Sequence, residues 1–353
     1  PEHITFLITD GAAADRPIAA VTGDFVFVGD VGRPDLLERA ANIKGTMEAG
    51  ARTLWKSLRA FASQEDWLQI WPGHGAGSAC GKGISAIPSS TLGYEKRFNW
   101  AFNVKSEDDF VTAVLAGQPE PPRYFAKMKR INKEGPAVLG RFHIPSRLDA
   151  ATLPGLLARG ALVIDTRPAA EYAAGHLPGT LSIPANASFV TWAGWLVQEE
   201  FYLIIDSATA GARLGELARS LAMIGLDRIA GYFDASSATG TATVRQIGVR
   251  ELRERLNDVT VVDVRSENEW ASGHIGGAVH VPLGYLAGRA AMLPRERPIV
   301  VQCQSGARSS IAVSVLERLG VTDVSNLSGG MSAWTAAALP VEEGAHGKQA
   351  TRA

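Results

Sequence analysis

Val262-Asp263-Val264-Arg265, followed by Glu269-Trp270, Gly273-His274-Ile275, Gly277 and Val281-Pro282, is written twice in this chain. The earlier copy reads Val163-Ile164-Asp165-Thr166-Arg167, Glu171-Tyr172, Gly175-His176-Leu177, Gly179 and Ile183-Pro184. The offset is constant, because 263 less 165, 269 less 171, 274 less 176 and 282 less 184 all give 98. A fixed period over so many positions marks two copies of one domain. Within each copy, short β-branched strands alternate with helical stretches, which predicts an α/β unit around a mostly parallel sheet.

The second copy continues into Val300-Val301-Gln302-Cys303-Gln304-Ser305-Gly306-Ala307-Arg308-Ser309 and the apolar-periodic Ile311 to Leu319. This reads as strand, tight loop and helix, with the Cys303 thiol at the mouth of the loop. Backbone N–H groups, the positive end of the helix dipole and the Arg308 guanidinium would all favour a thiolate there. A thiolate is a nucleophile, so the pattern points to covalent catalysis rather than to a buried structural cysteine. At the matching position the first copy has Asp206, in Leu203-Ile204-Ile205-Asp206-Ser207-Ala208, and so has no sulfur nucleophile. The Asp165, Arg167, Glu171 and His176 set and its second-copy equivalents recur with or without the thiol. They are therefore read as loop-holding groups rather than as an acid/base cluster.

These copies resemble the rhodanese (sulfurtransferase) family. The resemblance rests on the D-x-R strand end, the E-[YW]-x-x-G-H-[IL]-x-G-A segment and the C-x-x-G-x-R-S loop, with Leu327-Ser328-Gly329-Gly330-Met331-Ser332-Ala333-Trp334 closing the second copy. It implies that Cys303 attacks the outer sulfur of a donor, becomes a persulfide and hands that sulfur to a thiol or sulfite. Gln304, Ser305, Gly306, Ala307 and Ser309 would form the active-site loop, and Arg308 would orient the anionic donor or acceptor. A cysteine phosphatase is the rival for a cysteine–arginine loop. The six residues from Cys303 to Arg308 match the sulfurtransferase length, whereas the related phosphatase loop is longer by one. The first copy is expected to be inactive and to serve as a scaffold or docking face.

The N-terminal third differs in character. Ile4 to Asp10 and Phe25 to Gly29 are predicted strands, separated by Val21-Thr22-Gly23-Asp24. Gly29-Asp30-Val31-Gly32-Arg33-Pro34-Asp35-Leu36 and Ile70-Trp71-Pro72-Gly73-His74-Gly75 follow. These segments resemble the metallo-β-lactamase superfamily, in its glyoxalase II-like and persulfide dioxygenase branch. On that resemblance Asp24 is a metal ligand, and His74 is one if a second metal is bound. The H-x-[HE]-x-D-H motif of the superfamily is absent, and none of His3, His143, His176, His274, His280 or His346 has its spacing. A catalytic metal needs about three protein ligands, so the remaining ligands are absent from this chain. Either an N-terminal half of the domain is missing or this piece is metal-free; a missing half is expected, because the strands would otherwise lack a partner layer to bury against. With it, two His and one Asp would suit Fe(II) and O₂ chemistry, whereas two zincs would suit thioester hydrolysis.

In the same branch the segment Ser89 to Asn99 resembles the part that holds the substrate's thiol carrier. It makes Arg33, Tyr94, Lys96 and Arg97 candidates for gripping the carboxylates or phosphates of glutathione, coenzyme A or a similar low-molecular-weight thiol. Cys80, in the glycine-rich Gly75-Ala76-Gly77-Ser78-Ala79-Cys80-Gly81-Lys82-Gly83, either faces the metal pocket and handles sulfur or is inert.

Composition sets the outer bounds. At 353 residues, 46% hydrophobic and 20% charged, the chain is long enough for two or three cores at about 150 residues each. A net charge of −1 gives no footprint for nucleic acid or an anionic membrane. No run of about 18 apolar residues occurs, and the two cysteines suit a reducing compartment, so a cytoplasmic protein is expected. The fold class expected is α/β multidomain: the C-terminal part of an αββα metallo-β-lactamase fold, then two rhodanese-like α/β domains with central parallel sheets. The boundaries expected are 1–104 for the first, 105–143 for a linker, 144–241 for the inactive copy, 242–345 for the active copy and 346–353 for a tail. A homo-oligomer is expected. Three functions stay open: a sulfurtransferase fused to a non-haem iron persulfide dioxygenase making sulfite, the same copies fused to a zinc thioester hydrolase, and a sulfur carrier that does not turn over. Thiosulfate, sulfite and low-molecular-weight persulfides are the expected substrates.

Overall fold

The computed structural model describes residues 3–40, 43–76, 78–136, 138, 144–198, 200–238, 240, 242–344 and 348–349. His143, His346 and the expected tail, apart from Lys348–Gln349, lie outside the described residues. The chain divides into two compact units, Pro1–Lys129 and Arg130–Ala353.

The first unit carries a mixed four-stranded sheet in the order Phe6–Ile8, Ala19–Gly23, Gln69–Pro72, Ser90–Thr91. The amphipathic helix Thr46–Phe61 buries Ala51 and Leu58 in a core that also takes Ile70, Leu92 and Phe102. Helix Glu107–Leu115, which the sequence reading placed in a linker, buries Phe110, Val111 and Val114 in that same core. Ser106 caps it by accepting from the Asp109 N–H, and three acidic residues occupy its first turn, where the helix dipole favours them.

The predicted strand over Phe25–Gly29 is not formed. The strand lies at Ala19–Gly23 instead, and the chain then turns sharply at Gly23 (φ +50°) and again at Gly29 (φ +79°). Thr22 ties the turn by donating its hydroxyl to the Val26 carbonyl at 2.7 Å. Val26, Phe27 and Val28 are apolar because this loop is tucked into the core, so their burial reflects tertiary packing rather than a ladder.

The second unit contains both repeats. The first copy has a parallel sheet in the order Leu181–Ser182, Leu162–Asp165, Phe201–Ile205, Ile229–Asp234. The second has Val279–His280, Thr260–Asp263, Ile299–Gln302, Val324–Leu327, Arg245–Ile247, with Lys348–Gln349 on the outer edge, all parallel. Register repeats along with sequence. Asp165 pairs with Ser182 as Asp263 pairs with His280, and Leu162 pairs with Phe201 as Thr260 pairs with Ile299, each position displaced by the same 98 residues (263 less 165, 260 less 162). Cys303 follows the central strand Ile299–Gln302, at the carboxyl edge where open α/β sheets place their sites. Among the described residues, no helix is long and apolar enough to cross a membrane.

Candidate active site

Strand Ile299–Gln302, fully buried, delivers Cys303 into a loop that closes at Gly306. Gly306 has φ +97°, a conformation that L side chains rarely adopt, and it caps the twelve-residue helix Ala307–Arg318. Its backbone N–H donates to Cys303 Sγ at 3.1 Å, and the Ser309 hydroxyl lies 3.4 Å from the same sulfur. Cys303 is only 1% exposed. The loop is clamped from the far side. Met331 and Ser332 donate their backbone N–H groups to the carbonyls of Cys303 and Gln304 at 2.8 and 2.9 Å. Gly330 is required there, since a Cβ would sit 2.1 Å from the Cys303 carbonyl oxygen.

Arg308 does not stand free beside the thiol. Its two terminal nitrogens bond the Glu269 carboxylate at 2.7 and 2.5 Å. Glu269 in turn accepts from the Ser266 backbone and hydroxyl, in a capping box at the start of helix Glu267–Ala271. Burial alone would raise the Glu269 carboxyl, but the Arg308 bonds and charge and the Ser266 bonds outweigh it and hold it at about 2. Arg308 is pushed down by burial and more strongly up by Glu269 and the nearby Cys303 charge. The Asp263–Arg265 pair lies beside the loop, with Arg265 reaching Gln304 Oε1 at 3.4 Å and the Gly273 carbonyl at 2.7 Å.

In the first unit, the end of strand Ala19–Gly23 and the loop after Gln69–Pro72 bring Asp24 Oδ1 within 3.1 Å of His74 Nε2, both exposed. Cys80 Sγ joins them, and all three donor atoms lie within 4.8 Å of one another. A carboxylate oxygen and an imidazole nitrogen at that separation can both reach one ion through bonds of about 2.1 Å, so Asp24 and His74 fit a share of a transition-metal site. Burial, the first cause, and the Asp24 charge push the Cys80 thiol upward, with Ser78 and Arg33 opposing.

A family model described as a rhodanese-like domain matches residues 248–337. A sulfurtransferase of Allochromatium vinosum is 38% identical over 101 residues, which is 28% of this chain and 94% of that protein. The chain belongs to the rhodanese-like sulfurtransferases. A thiosulfate sulfurtransferase of Pseudomonas aeruginosa is 37% identical over 86 residues, 24% of this chain and 76% of that protein. A solved metallo-β-lactamase from Staphylococcus aureus is 38% identical with a TM-score of 0.56, covering 66% of this chain and 62% of its own length. The present chain thus spans less than two thirds of that structure. A metallo-β-lactamase-like part precedes the rhodanese copies, and that fold implies a metal-dependent enzyme.

The first copy repeats the loop-holding geometry without the thiol. Arg167 grips Asp165 and the Gly175 carbonyl as Arg265 grips Asp263 and Gly273. His176 stacks on Tyr172 at 4.0 Å, and His274 stacks on Trp270 at 3.7 Å. Asp206 follows strand Phe201–Ile205 and is exposed. Glu171 and Glu269 nevertheless differ in what they can do, because only Glu269 has an Arg308 to hold.

Of the residues read as gripping a thiol carrier, Arg33 is buried. Its Nε and one terminal nitrogen bond Asp35, and the other bonds the Ala79 carbonyl at 2.7 Å. It ties down the loop carrying Cys80 instead of facing solvent. Lys96 bonds Asp66 and the Gln64 carbonyl. Tyr94 and Arg97 are exposed, Tyr94 with its ring 4.7 Å from that of Phe98. Sequence reasoning missed Asp30 as an anchor. Its carboxylate accepts from the Lys82 and Gly83 N–H groups and from Trp100 Nε1, fixing the glycine-rich loop from the core. An aspartate set between glycine and valine in an otherwise apolar, glycine-containing run was the available signal.

Proposed function

We propose that Cys303 carries sulfane sulfur as a persulfide, with Arg308 and the loop N–H groups stabilising the added negative charge. With thiosulfate, the Cys303 thiolate attacks the outer sulfur, the S–S bond breaks and sulfite leaves with its electron pair. Thiolate plus thiosulfate dianion thus become the enzyme persulfide anion plus sulfite dianion. An acceptor thiolate or sulfite then attacks the terminal sulfur and restores the Cys303 thiolate. The observation that carries this reading is the Gly306 N–H on Sγ at the start of a twelve-residue helix, an anion-stabilising arrangement built around one sulfur.

For the metallo-β-lactamase-like part, the reading extends to a persulfide dioxygenase in which a low-molecular-weight persulfide, O₂ and water give the free thiol, sulfite and two protons. Asp24 would hold the ion, which supplies O₂ activation if it is iron, and His74 beside it would become a ligand only where a second metal binds. Sulfite made there is an acceptor for the Cys303 persulfide, and this shared intermediate favours the oxidase over thioester hydrolysis by zinc. The test is metal content and turnover of the whole protein. Iron with persulfide-dependent O₂ uptake, and thiosulfate-to-cyanide sulfur transfer lost in Cys303→Ser, are expected. Zinc with thioesterase turnover overturns the oxidase reading, and sulfur transfer retained by Cys303→Ser overturns the sulfurtransferase reading.

A further inference from the structure

The helix that follows the Cys303 loop, Ala307–Arg318, is buried without a break from Ser309 to Leu316. That stretch exceeds two turns, so every face of the helix is covered, which takes two walls. One wall is the second copy's own pair of strands, Ile299–Gln302 and Val324–Leu327. The other is strand Leu181–Ser182 with helix Ala169–Ala174, both from the first copy. Three polar contacts fix this second wall. Ser314 Oγ, fully buried, donates to the Ile311 carbonyl at 2.7 Å and accepts from the Ser182 N–H, on the edge strand of the first sheet, at 3.0 Å. Arg318 donates to the Gly179 carbonyl. Glu317 sets its Oε2, sealed from solvent, 3.3 Å from Nε2 of the buried His176.

The His176 contact departs from the repeat. In the second copy His274 pairs through its backbone with Glu342 and faces that carboxylate at 3.9 Å. In the first copy Ala242 is the backbone partner of His176 and offers no carboxylate. The carboxylate beside His176 comes instead from the helix that begins at the thiol-bearing loop.

Resting on the reading of Cys303 as the sulfur carrier, we propose that Ser314, Glu317 and Arg318 are positioning residues, through which the first copy holds this helix in line with the sulfur. Twelve residues make a rod of about 18 Å. Its start carries the two groups that meet Sγ, the Gly306 N–H at 3.1 Å and the Ser309 hydroxyl at 3.4 Å. Its end carries the three contacts with the first copy. A tilt released at the far end therefore moves both donors off the sulfur, and their stabilisation of a thiolate or persulfide falls steeply with misplacement. The first copy needs no thiol for this task, only a fold that presents Ser182, Gly179 and His176.

The test uses the full chain and two rates: alkylation of Cys303 by iodoacetamide at neutral pH, and sulfur transfer from thiosulfate to cyanide. Ser314→Ala and Arg318→Ala are expected to slow both about fivefold or more, through kcat, with KM for thiosulfate within about twofold. Arg318→Lys keeps a donor for the Gly179 carbonyl and should recover most of the loss. Leu252→Val removes a buried methyl group from helix Val249–Glu254, away from these contacts, and serves as the control for lost stability. It should leave both rates unchanged. Wild-type rates in Ser314→Ala and Arg318→Ala overturn the proposal. So does a loss that Leu252→Val shares, or a change confined to KM. Should Ser314→Ala fail to fold, the partly exposed Arg318 carries the same test. Cys303→Ser is run alongside. If that variant still transfers sulfur, the underlying reading fails, whereas a silent Cys303→Ser with unaltered rates in the helix variants sinks this inference alone.

Discussion

Glu269 holds Arg308 by both terminal nitrogens, across 39 residues of sequence, at 2.5 and 2.7 Å. The carboxylate is itself fixed by the helix cap at Ser266, so the arginine beside Cys303 is aimed by a rigid element rather than by its own flexible stem. Glu269→Gln keeps the shape and removes the charge. It is expected to lower kcat/KM for thiosulfate about tenfold, chiefly in kcat, with the far-UV circular dichroism spectrum unchanged. Unaltered kinetics would show that Arg308 needs no partner.

The same pair sets a pH expectation. Glu269 is held at about 2 in the folded protein, below its ordinary value of 4.5. A depressed carboxyl stabilises the fold above its unfolded value and ceases to do so as pH falls through the folded one. Denaturant unfolding of wild type and Glu269→Gln should therefore converge as pH is lowered from about 4.5 toward 2, and a constant difference across that window would contradict the ion pair.

His280 gives the opposite kind of group. It is buried, stacks on Trp270 at 4.7 Å and donates Nε2–H to the Arg265 carbonyl at 2.8 Å. Burial pushes its imidazole below the ordinary value, and the Arg265 carbonyl and the charges of Asp263 and Glu267 only partly oppose this. Its contribution is complete above about 6.5 and is lost as pH falls through the lower folded value. Nuclear magnetic resonance titration should find a midpoint below 6.5 for His280, and a midpoint above that would be inconsistent with its packing.

Gly330 has φ +54°, and a Cβ there would meet the Cys303 carbonyl oxygen at 2.1 Å. Gly330→Ala is expected to cost about 2 kcal/mol or more, because backbone rather than a flexible side chain must yield, and to lower sulfur transfer by displacing the loop. Urea unfolding and turnover check this together, and a variant with wild-type stability would mean that the loop relaxes freely.

At the junction of the copies, Gly284 lies under Trp195, whose ring would stand 2.1 Å from an added Cβ. Gly284→Ala should destabilise the wild-type background but much less the Trp195→Ala background, a coupling of about 1 kcal/mol or more in a double-mutant cycle. Additive effects would argue against this contact.

The repeat made both α/β copies readable, since the paired Asp, Arg, Gly and His positions are the groups that hold each loop. Cys303 was equally plain, because a strand, a glycine loop and a helix in sequence leave one place for the thiol. The Arg308–Glu269 pair was hidden by its sequence separation, and no periodicity links a cap residue to a distant loop. Phe25 to Gly29 misled because apolar residues in a buried turn carry the same signal as a short strand. Arg33 looked like a surface cation until its partner Asp35, two residues away, was seen to be buried with it.

The most direct measurement is mass spectrometry of the peptide carrying Cys303 after the full chain is exposed to thiosulfate and then to cyanide. One added sulfur atom on Cys303, present before cyanide and gone after it, is the predicted result. A Cys303 peptide that never gains sulfur while the protein still turns over thiosulfate would contradict the account.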